Sequence, residues 1–345
     1  MNISNLLISW YLSNKRDLPW RESKDPYIIW LSEVILQQTR ISQGTDYFIQ
    51  FIQQFPNVYE LASASEDEVL KLWQGLGYYS RARNLHYTAK LIVNQLNGVF
   101  PNTYEDLKKL KGIGDYTASA ISSICFNEVR AVVDGNVYRV LSRYFNIDTA
   151  INSSSGVKEF KEIAQKIISN KDPGLHNEAL MELGALICTP RNPKCEICPL
   201  SESCLAIKNN KIDSLPYKLR KIKTKTRYFN FIVFNIENQK TVLEQRKGKD
   251  IWQHLYQFPL IESSEELGHD SILGSKILDG LDQNASFQLK LFNQNNIVHI
   301  LTHQKILAKF WVIHTKSDHK NAVEWNNVSN FAVPVIISNF LEKFR

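Results

Sequence analysis

The sequence predicts a mainly α-helical N-terminal domain followed by a smaller α+β C-terminal domain. A chain of 345 residues exceeds the length of one ordinary domain. Apolar residues recur at spacings of three and four through residues 1–208, which predicts helices. A basic, Pro-containing stretch over 209–227 indicates an interdomain linker. Residues 228–345 then contain short aromatic and β-branched runs between turn residues, which indicate strands and a closing helix.

The N-terminus begins with an amphipathic stretch and lacks the pattern of a signal peptide. Leu6, Leu7, Trp10 and Tyr11 fall at helical spacing, and no basic residue precedes them. No apolar run approaches the roughly 18 residues that a membrane-spanning helix needs. We therefore expect a cytoplasmic protein with no membrane partner.

All of the excess positive charge lies in the first two-thirds of the chain. Residues 1–227 contain 29 Lys and Arg against 23 Asp and Glu, whereas residues 228–345 contain 12 of each. A polyanionic partner would therefore bind mainly the N-terminal part. A net charge of +6 fits a plain contribution to solubility equally well.

Gly112 and Gly114 precede a helix-like run in the stretch LKGIGDYTASAISSI. Glycines in such a turn let the backbone approach a phosphate, and the next helix directs free N–H groups to the same place. The pattern alone is weak, because most GxG sequences are ordinary turns.

Asp134 follows among valines, where partial desolvation would strengthen the electrostatic field of its carboxylate at a cation. The alternative is that Asp134 only caps a helix.

Glu33 is a second carboxylate in an apolar segment, flanked by Leu31, Val34 and Ile35. Burial there would raise its pKa towards a value useful for a general acid. The alternative is an exposed position on a helix.

Four of the five cysteines lie in one loop over 188–204, with the spacing C-x6-C-x2-C-x5-C. Without a secretory context, four thiolates so close together suit zinc or an iron–sulfur cluster better than disulfides. Structural zinc usually draws on two close Cys pairs and this loop has one, which favours a [4Fe–4S] cluster. Arg191 and Lys194 lie between the first two cysteines, where they could meet phosphates or simply be solvated. The candidate ligands are Cys188, Cys195, Cys198 and Cys204.

These features occur together in an order that resembles the helix-hairpin-helix DNA glycosylases with an iron–sulfur loop. Further segments narrow the resemblance to the MutY-type adenine DNA glycosylases, which remove adenine mispaired with 8-oxoguanine. They are LPWR (18–21), PYIIWLSEVILQQTR (26–40), GLGYYSRARNL (75–85) and VVDGNVYRVLSR (132–143). In the C-terminal part, IWQHLYQFP (251–259) is similar to the 8-oxoguanine-recognition domain of that family, a Nudix-like fold.

The resemblance implies a two-lobed helix-hairpin-helix glycosylase fold with a [4Fe–4S] loop, plus a C-terminal Nudix-like domain. It also implies a monomer that binds double-stranded DNA carrying A:8-oxoguanine or A:G mispairs and works with the nucleoid.

Release of adenine from deoxyribose leaves positive charge on the sugar and needs a proton on the base. By the family pattern, Glu33 donates that proton and Asp134 stabilises the sugar cation. The target base must also leave the stack, and the gap must be filled. The other positions carried over are Tyr116 and Asn136 at the sugar; Trp20, Arg21 and Glu178 at the adenine pocket; and Gln38 and Tyr78 as wedges in the duplex. We also expect Gly112 and Gly114 to anchor one DNA strand, and the basic side chains Arg81, Arg83, Arg191 and Lys194 to contact phosphates.

Two departures from the family pattern lie in the C-terminal domain. The recognition loop of the family is typically Phe-Ser-His, whereas this chain has Leu301, Thr302 and His303. The hydroxyl of Thr302 and the imidazole of His303 can still bind 8-oxoguanine, although His303 as a core residue is the alternative. The stretch LIESSEELGHDS lacks the metal-binding pattern of Nudix pyrophosphatases, so we expect recognition without hydrolysis.

Two other functions share part of this pattern. A bifunctional glycosylase/lyase of the endonuclease III class needs a nucleophilic Lys two residues past the second glycine, where this chain has Tyr116. A non-enzymatic iron–sulfur DNA-binding protein would not need Glu33 and Asp134. Likewise, Tyr78 on its own could be a core residue, since GYY after a glycine turn is common.

Overall fold

A computed structural model describes residues 3–219, 224–280 and 286–344. The chain divides into two compact units, which we call the catalytic unit (Met1–Ala64 and Arg83–Arg220) and the recognition unit (Ser65–Ala82 and Lys221–Arg345). No helix in the described ranges combines the length and the apolar character that a membrane crossing requires.

The first 208 residues fold into helices, as the apolar spacing predicts. In chain order they are α1 (Ile3–Asn14), α2 (Pro26–Leu36), α3 (Ile41–Gln54), α4 (Val58–Ser63), α5 (Glu66–Leu72), α6 (Ser80–Leu96), α7 (Tyr104–Leu107), α8 (Asp115–Phe126), α9 (Gly135–Phe145), α10 (Ser154–Ile167), α11 (Pro173–Leu186) and α12 (Leu205–Lys208). The mainly helical fold class of this part is confirmed.

Local sequence signals explain where the helices near the site begin. Asp25 caps α2 by accepting from the backbone N–H of Tyr27 at 2.8 Å, and Pro26 occupies the first turn. Helix α8 begins directly after Gly114. Asp134 caps α9 by accepting from the backbone N–H of Val137 at 2.7 Å, so the predicted capping role is confirmed.

Helix α11 lies at the centre of the catalytic unit, where it packs against α1, α8 and α9. Leu180 and Leu183 on α11 join a fully buried apolar cluster with Leu7 of α1 and Val140 of α9. At Gly184 a side chain would bring its Cβ within 2.6 Å of Asn136 Cβ, so the glycine permits the close approach of α9. Carboxylates on α11 are thereby fixed relative to the start of α9.

The C-terminal part is an α+β fold, as the sequence predicts. Its strands are β1 (Lys225–Ile236), β2 (Lys240–Val242), β3 (Glu244–Gln245), β4 (Tyr256–Gln257), β5 (Leu260–Ser263), β6 (Phe287–Leu291), β7 (Ile297–Ile300), β8 (Gln304–Thr315) and β9 (Ala322–Glu324), with helices α13 (His269–Leu273) and α14 (Val335–Phe344). The main sheet has the order β6-β8-β1-β2-β9, with β5 also paired to β1 and β7 to β8. Strands β1 and β8 run parallel in the centre.

Alternation along β1 supplies two apolar faces. Ile232, Phe234 and Ile236 join one buried cluster with Ile272 of α13. On neighbouring β8, Phe310 stacks on Phe340 of α14, with ring centroids 4.2 Å apart. A helix therefore covers each face of the sheet.

The segment 65–82 differs from the predicted division of the chain, because it belongs to the recognition unit. Lys71 Nζ donates to the carbonyl of Phe331 at 3.2 Å, and Gln74 Oε1 accepts from the backbone N–H of Val333 at 3.3 Å. These partners lie about 260 positions away along the chain. No local pattern marks such an association.

Part of the predicted linker is bound to the catalytic unit. Leu215 is buried, and Asn152 exchanges two hydrogen bonds with the backbone of Leu219, at 3.1 and 2.9 Å. Residues 220–223 of the predicted linker lie outside the described residues.

Candidate active site

An open cavity of about 810 Å³ lies in the catalytic unit, between the end of α2, the hairpin before α8 and the start of α9. Six of the predicted site residues line it. They are Glu33, Gln38, Gly112, Gly114, Tyr116 and Asp134. Residues separated by about 100 positions in the sequence therefore share one wall.

Glu33 is the most strongly perturbed carboxyl group of this cavity. Burial raises its pKa to about 7, the hydrogen bond from Tyr116 lowers it, and the charges of Asp134 and Glu178 raise it further. Glu33 is half-buried in the structure, so the alternative of an exposed helix position is wrong. A carboxyl group that titrates near neutral pH can hold and deliver a proton under physiological conditions.

Asp134 directly precedes α9, and both of its carboxylate oxygens accept hydrogen bonds. Oδ1 accepts from the backbone N–H of Val137 at 2.7 Å and Oδ2 from Asn136 Nδ2 at 2.9 Å. Burial raises the pKa of Asp134, while these hydrogen bonds and the charge of Arg139 oppose the increase. The bonded oxygens fix the position of the carboxylate at the cavity wall.

Arg139 fixes the side-chain amide of Asn136 by a hydrogen bond. Its Nη2 donates to Asn136 Oδ1 at 2.8 Å and to the carbonyl of Gly184 at 2.7 Å, while Nε donates to the carbonyl of Cys188 at 2.6 Å. A single guanidinium thus connects the amide beside Asp134 with the first residue of the cysteine loop. Arg139 was not among the predicted site residues, although its position three residues after Asn136 on one helix face was a usable signal.

Arg21 and Glu178 are buried together, with 3.8 Å between Arg21 Nε and Glu178 Oε1. Arg21 also binds Glu182 at 2.9 Å and donates to the hydroxyl of Tyr11. Tyr11 was predicted only as part of an amphipathic helix, and Glu182 was not among the predicted site residues. Glu182 lies one helical turn after Glu178, which was the available signal.

Trp20 is buried, and it packs edge-to-face on Phe48 with 5.1 Å between ring centroids. It does not belong to the wall of the open cavity. In the structure Trp20 therefore supports the segment that carries Arg21, and its predicted place at the adenine stays a prediction.

The hairpin glycines differ in what they require. Gly112 has a φ of +83°, and a Cβ there would lie 2.6 Å from the Cβ of Asn84, so only glycine fits without strain. Gly114 faces open space, where a side chain would meet nothing within 4 Å. The backbone beside α8 is thus accessible to a phosphate.

Two residues predicted as wedges share an unusual backbone conformation. Gln38 has a φ of 57° and Tyr78 a φ of 47°, values that non-glycine residues rarely adopt. Both side chains are exposed, and Tyr78 is 47% exposed, so the alternative of a core tyrosine is wrong. In the recognition unit, Arg81 stacks over Tyr78 and donates to the carbonyls of Leu76 and Gly77.

The recognition loop forms the tip between β7 and β8. Thr302 and His303 are exposed, so the core alternative for His303 is wrong, whereas Leu301 is half-buried. The hydroxyls of Thr302 and Tyr78 form a hydrogen bond of 2.6 Å. Within the recognition unit, one predicted contact to 8-oxoguanine and one predicted wedge are therefore directly connected.

Arg227 supports this loop from β1. Its guanidinium binds the carboxylates of Asp250 and Glu262, each through two hydrogen bonds of 2.7 to 3.0 Å, and donates to Gln304 Oε1 at 2.9 Å. Gln304 directly follows His303. A nearly fully buried fork of this kind fixes the base of the loop.

The four cysteines of the 188–204 loop line one cavity, together with Arg143 and Pro193. Arg143 is 1% exposed, and its Nη1 lies 3.4 Å from Cys188 Sγ and 2.7 Å from the carbonyl of Thr189. No three His, Cys, Asp or Glu side chains in the described part of the chain form a ready site for one metal ion. A cubane takes one thiolate on each iron, so its ligands need only surround a common space.

Four thiol donors and a buried guanidinium fit a cluster whose thiolate ligands carry negative charge. Arg191 and Lys194 of this loop are exposed, which suits either solvent or a phosphate. The predicted phosphate contact Arg83 lies on α6. The phosphate contacts of Arg83, Arg191 and Lys194 stay predictions.

Three family models match the chain. Residues 31–170 match the HhH-GPD superfamily base excision DNA repair proteins, residues 188–204 the iron–sulfur binding domain of endonuclease III, and residues 231–343 the NUDIX domain. The helical fold, the cluster loop and the C-terminal fold predicted from the sequence are thereby confirmed.

Several relatives of this chain are named adenine DNA glycosylase. The adenine DNA glycosylase of Buchnera aphidicola subsp. Baizongia pistaciae is 36% identical over 98% of this chain and 95% of its own length. The corresponding protein of Buchnera aphidicola subsp. Schizaphis graminum is 37% identical over 74% of each chain. The human adenine DNA glycosylase is 44% identical over 58% of this chain and 38% of its own length.

Solved structures resemble the helical part. A thermostable thymine-DNA glycosylase is 28% identical with a TM-score of 0.55, covering 60% of this chain and 95% of its own. Endonuclease III in a non-covalent DNA complex shares the fold with a TM-score of 0.52, at 20% identity over 60% of this chain and 94% of its own.

Proposed function

Because this chain belongs to the adenine DNA glycosylases, we propose that it removes adenine paired with 8-oxoguanine or guanine in double-stranded DNA. It is a DNA N-glycosylase of base excision repair with a [4Fe–4S] cluster. Cys188, Cys195, Cys198 and Cys204 would hold the cluster, and this ligation would fix their loop to the helical fold. Because its substrate is DNA, we place the enzyme in the cytoplasm with the nucleoid, as a monomer.

One observation carries the proposal: an acid that titrates near pH 7 and a bonded carboxylate, Glu33 and Asp134, line one cavity beside an accessible hairpin. Cleavage of an N-glycosidic bond sends the bonding electron pair to the base and leaves a cation at the sugar. Protonated Glu33 gives its proton to a ring nitrogen of adenine, which makes the base a better leaving group. The charge of ionised Asp134 stabilises the sugar cation until water adds and loses a proton.

The other predicted residues have supporting roles in this mechanism. Tyr116 orients Glu33 through its hydroxyl, and Asn136 orients Asp134. Glu178 and Arg21 bind the extruded adenine, beside Trp20. The N–H groups next to Gly112 and Gly114 hold one DNA strand without distinguishing its sequence, assisted by basic side chains.

Recognition of the opposite base belongs to the Thr302–His303 tip and to the wedges Gln38 and Tyr78. The hydrogen bond between Tyr78 and Thr302 supports this assignment. Because it connects the proposed wedge Tyr78 to the proposed base contact Thr302, the two side chains would enter the duplex together. The departure from the family pattern at Leu301 affects a half-buried residue and therefore the packing of the tip.

The lyase alternative is disfavoured by Tyr116, a phenol at the position where a lyase needs an amine. Its hydroxyl donates to Met181 Sδ at 3.5 Å and interacts electrostatically with Glu33. The proposed function is tested by single-turnover cleavage of duplexes with adenine opposite 8-oxoguanine, G, C or T. We expect rates in the order 8-oxoguanine, then G, with C and T far slower, and an intact abasic strand as product. Efficient borohydride trapping with strand nicking would contradict a monofunctional enzyme.

A further inference from the structure

Two carboxylates on α11, Glu178 and Glu182, lie one helical turn apart and are both buried. Like charges at this spacing repel each other on a helix, and burial adds to the cost. Such a pair persists only where other groups compensate it. The two residues are compensated very differently.

Glu182 accepts nearly every hydrogen bond that a carboxylate can take. Its Oε1 accepts from the backbone N–H of Arg16 at 3.0 Å and from Arg16 Nε at 2.8 Å. Its Oε2 accepts from Arg16 Nη2 at 2.6 Å and from Arg21 Nη2 at 2.9 Å. With a side chain 1% exposed, Glu182 is therefore a fully bonded anion.

Arg21 is shared between the two carboxylates but bonded to only one of them. Its Nη2 binds Glu182, its Nη1 donates to the hydroxyl of Tyr11, and its Nε stays 3.8 Å from Glu178. The closest partners of the Arg21 guanidinium are therefore Glu182 and Tyr11, although Glu178 lies beside it. If Glu182 were neutral, Arg21 would close onto Glu178 as its best remaining anion.

We propose that Glu182 is a positioning residue for Arg21, which it holds back from Glu178. Glu178 thereby stays available to the adenine, and its negative charge continues to act on Glu33. The inference rests on the proposed function, in which Glu33 donates the proton. Neither Glu182 nor Arg16 lines the cavity.

The charges that face these acids come from several elements. Glu33 faces Tyr116 of α8, Asp134 at the start of α9, Glu178 of α11 and Arg21 of the loop before α2. Glu178 faces Arg21, Lys24, Tyr11 and Lys15, and burial raises its pKa against them. Burial also works to raise the pKa of Glu182, yet the hydrogen bonds from Arg16 and the charge of Arg21 hold it below its usual range.

Glu182→Gln removes one negative charge and leaves two guanidinium groups in place. The extra positive charge favours the ionised form of Glu33, so the pKa of Glu33 falls.

The test is the pH profile of single-turnover adenine release from an A:8-oxoguanine duplex. We expect the alkaline limb of the variant to move to lower pH by about one unit, with a smaller change at acidic pH. Glu162→Gln, which removes an exposed carboxylate from α10, is the matched control and should leave the limb unchanged.

A purely structural role for Glu182 predicts something different, namely an equal loss of rate at every pH. An unshifted limb in Glu182→Gln overturns the proposal. Glu182→Asp keeps the negative charge on a shorter side chain. The alkaline limb of its pH profile should therefore stay in place while the rate of adenine release falls. A shift in Glu182→Asp as large as in Glu182→Gln also overturns the proposal, because charge would then not be the cause.

A second readout does not depend on catalysis. The pKa of Glu33 also follows from the pH dependence of the stability difference between chains with Glu33 and with Glu33→Gln. Measured with and without Glu182→Gln, this difference should show the same fall in the pKa of Glu33. If the unaltered protein releases no adenine, the proposed function fails, and the stability readout still decides the role of Glu182.

Discussion

Asn136 donates its side-chain amide to Asp134 at 2.9 Å, while its own carbonyl oxygen accepts from Arg139 at 2.8 Å. The amide is therefore fixed in one orientation, with its N–H groups towards the carboxylate. Together with the backbone N–H of Val137, it stabilises the anionic form of Asp134 in a site where burial works against that form.

Replacement of Asp134 by Asn tests the role of that charge. The charge acts on a sugar cation that exists only near the transition state, so the loss should fall on the chemical step. We expect base removal to be abolished while affinity for the mispaired duplex changes little. Single-turnover cleavage and a binding titration on the same duplex check both statements. Cleavage at a near-normal rate would mean that another residue supplies the anion.

The pH dependence of base removal follows from Glu33. Its pKa is about 7, and only the protonated form can donate a proton. The single-turnover rate should therefore be highest below about pH 7 and fall up to tenfold per pH unit above it. Glu33→Gln should remove this limb together with most of the rate. A rate that stays constant from mildly acidic to mildly alkaline buffer would exclude Glu33 as the acid.

Glu33 should also destabilise the fold in alkaline buffer. Its pKa rises from 4.5 to about 7 on folding, so the native state retains a proton that the unfolded chain has released. Stability is therefore lost as pH rises from 4.5 to about 7, by about 3–4 kcal/mol at most, since each pKa unit is worth about 1.4 kcal/mol. Urea denaturation should show Glu33→Gln more stabilising in alkaline than in acidic buffer. An equal effect in both buffers would contradict the raised pKa.

Thr302 and His303 should determine the preference for 8-oxoguanine. Adenine opposite guanine and opposite 8-oxoguanine differ only at the far base, so discrimination needs contacts outside the catalytic cavity. A few polar contacts are worth roughly 1–3 kcal/mol together. Replacing both residues by alanine should narrow the rate ratio between the two substrates by about ten- to a hundred-fold, mainly through the 8-oxoguanine substrate. An unchanged ratio would assign the tip to packing.

Local patterns predicted the parts of the site that are contiguous in sequence. Gly112 was visible as a turn glycine before a helix, and its positive φ explains the choice of residue. Glu33 was visible as a carboxylate among apolar neighbours, which is also the cause of its raised pKa. In these cases one short segment contains both the residue and the physical reason for it.

Several contacts that sequence reasoning missed join residues far apart along the chain. Glu182 binds Arg16 across 166 positions, and β1 pairs in parallel with β8, so that Lys225 meets Gln304. Segment 65–82 joins the recognition unit through residues 331 and 333. Periodicity predicts which face of an element is buried but not which distant element covers it. These contacts needed the three-dimensional structure.

Competition between two duplexes in one solution gives the most direct test of substrate and chemistry together. One duplex carries adenine opposite 8-oxoguanine, the other carries adenine opposite thymine, and the release of free adenine is followed from each. We expect the first duplex to lose its adenine and keep an intact abasic strand, while the second remains uncut. Release of adenine from both duplexes at one rate, or from neither, would contradict an adenine glycosylase specific for the 8-oxoguanine mispair.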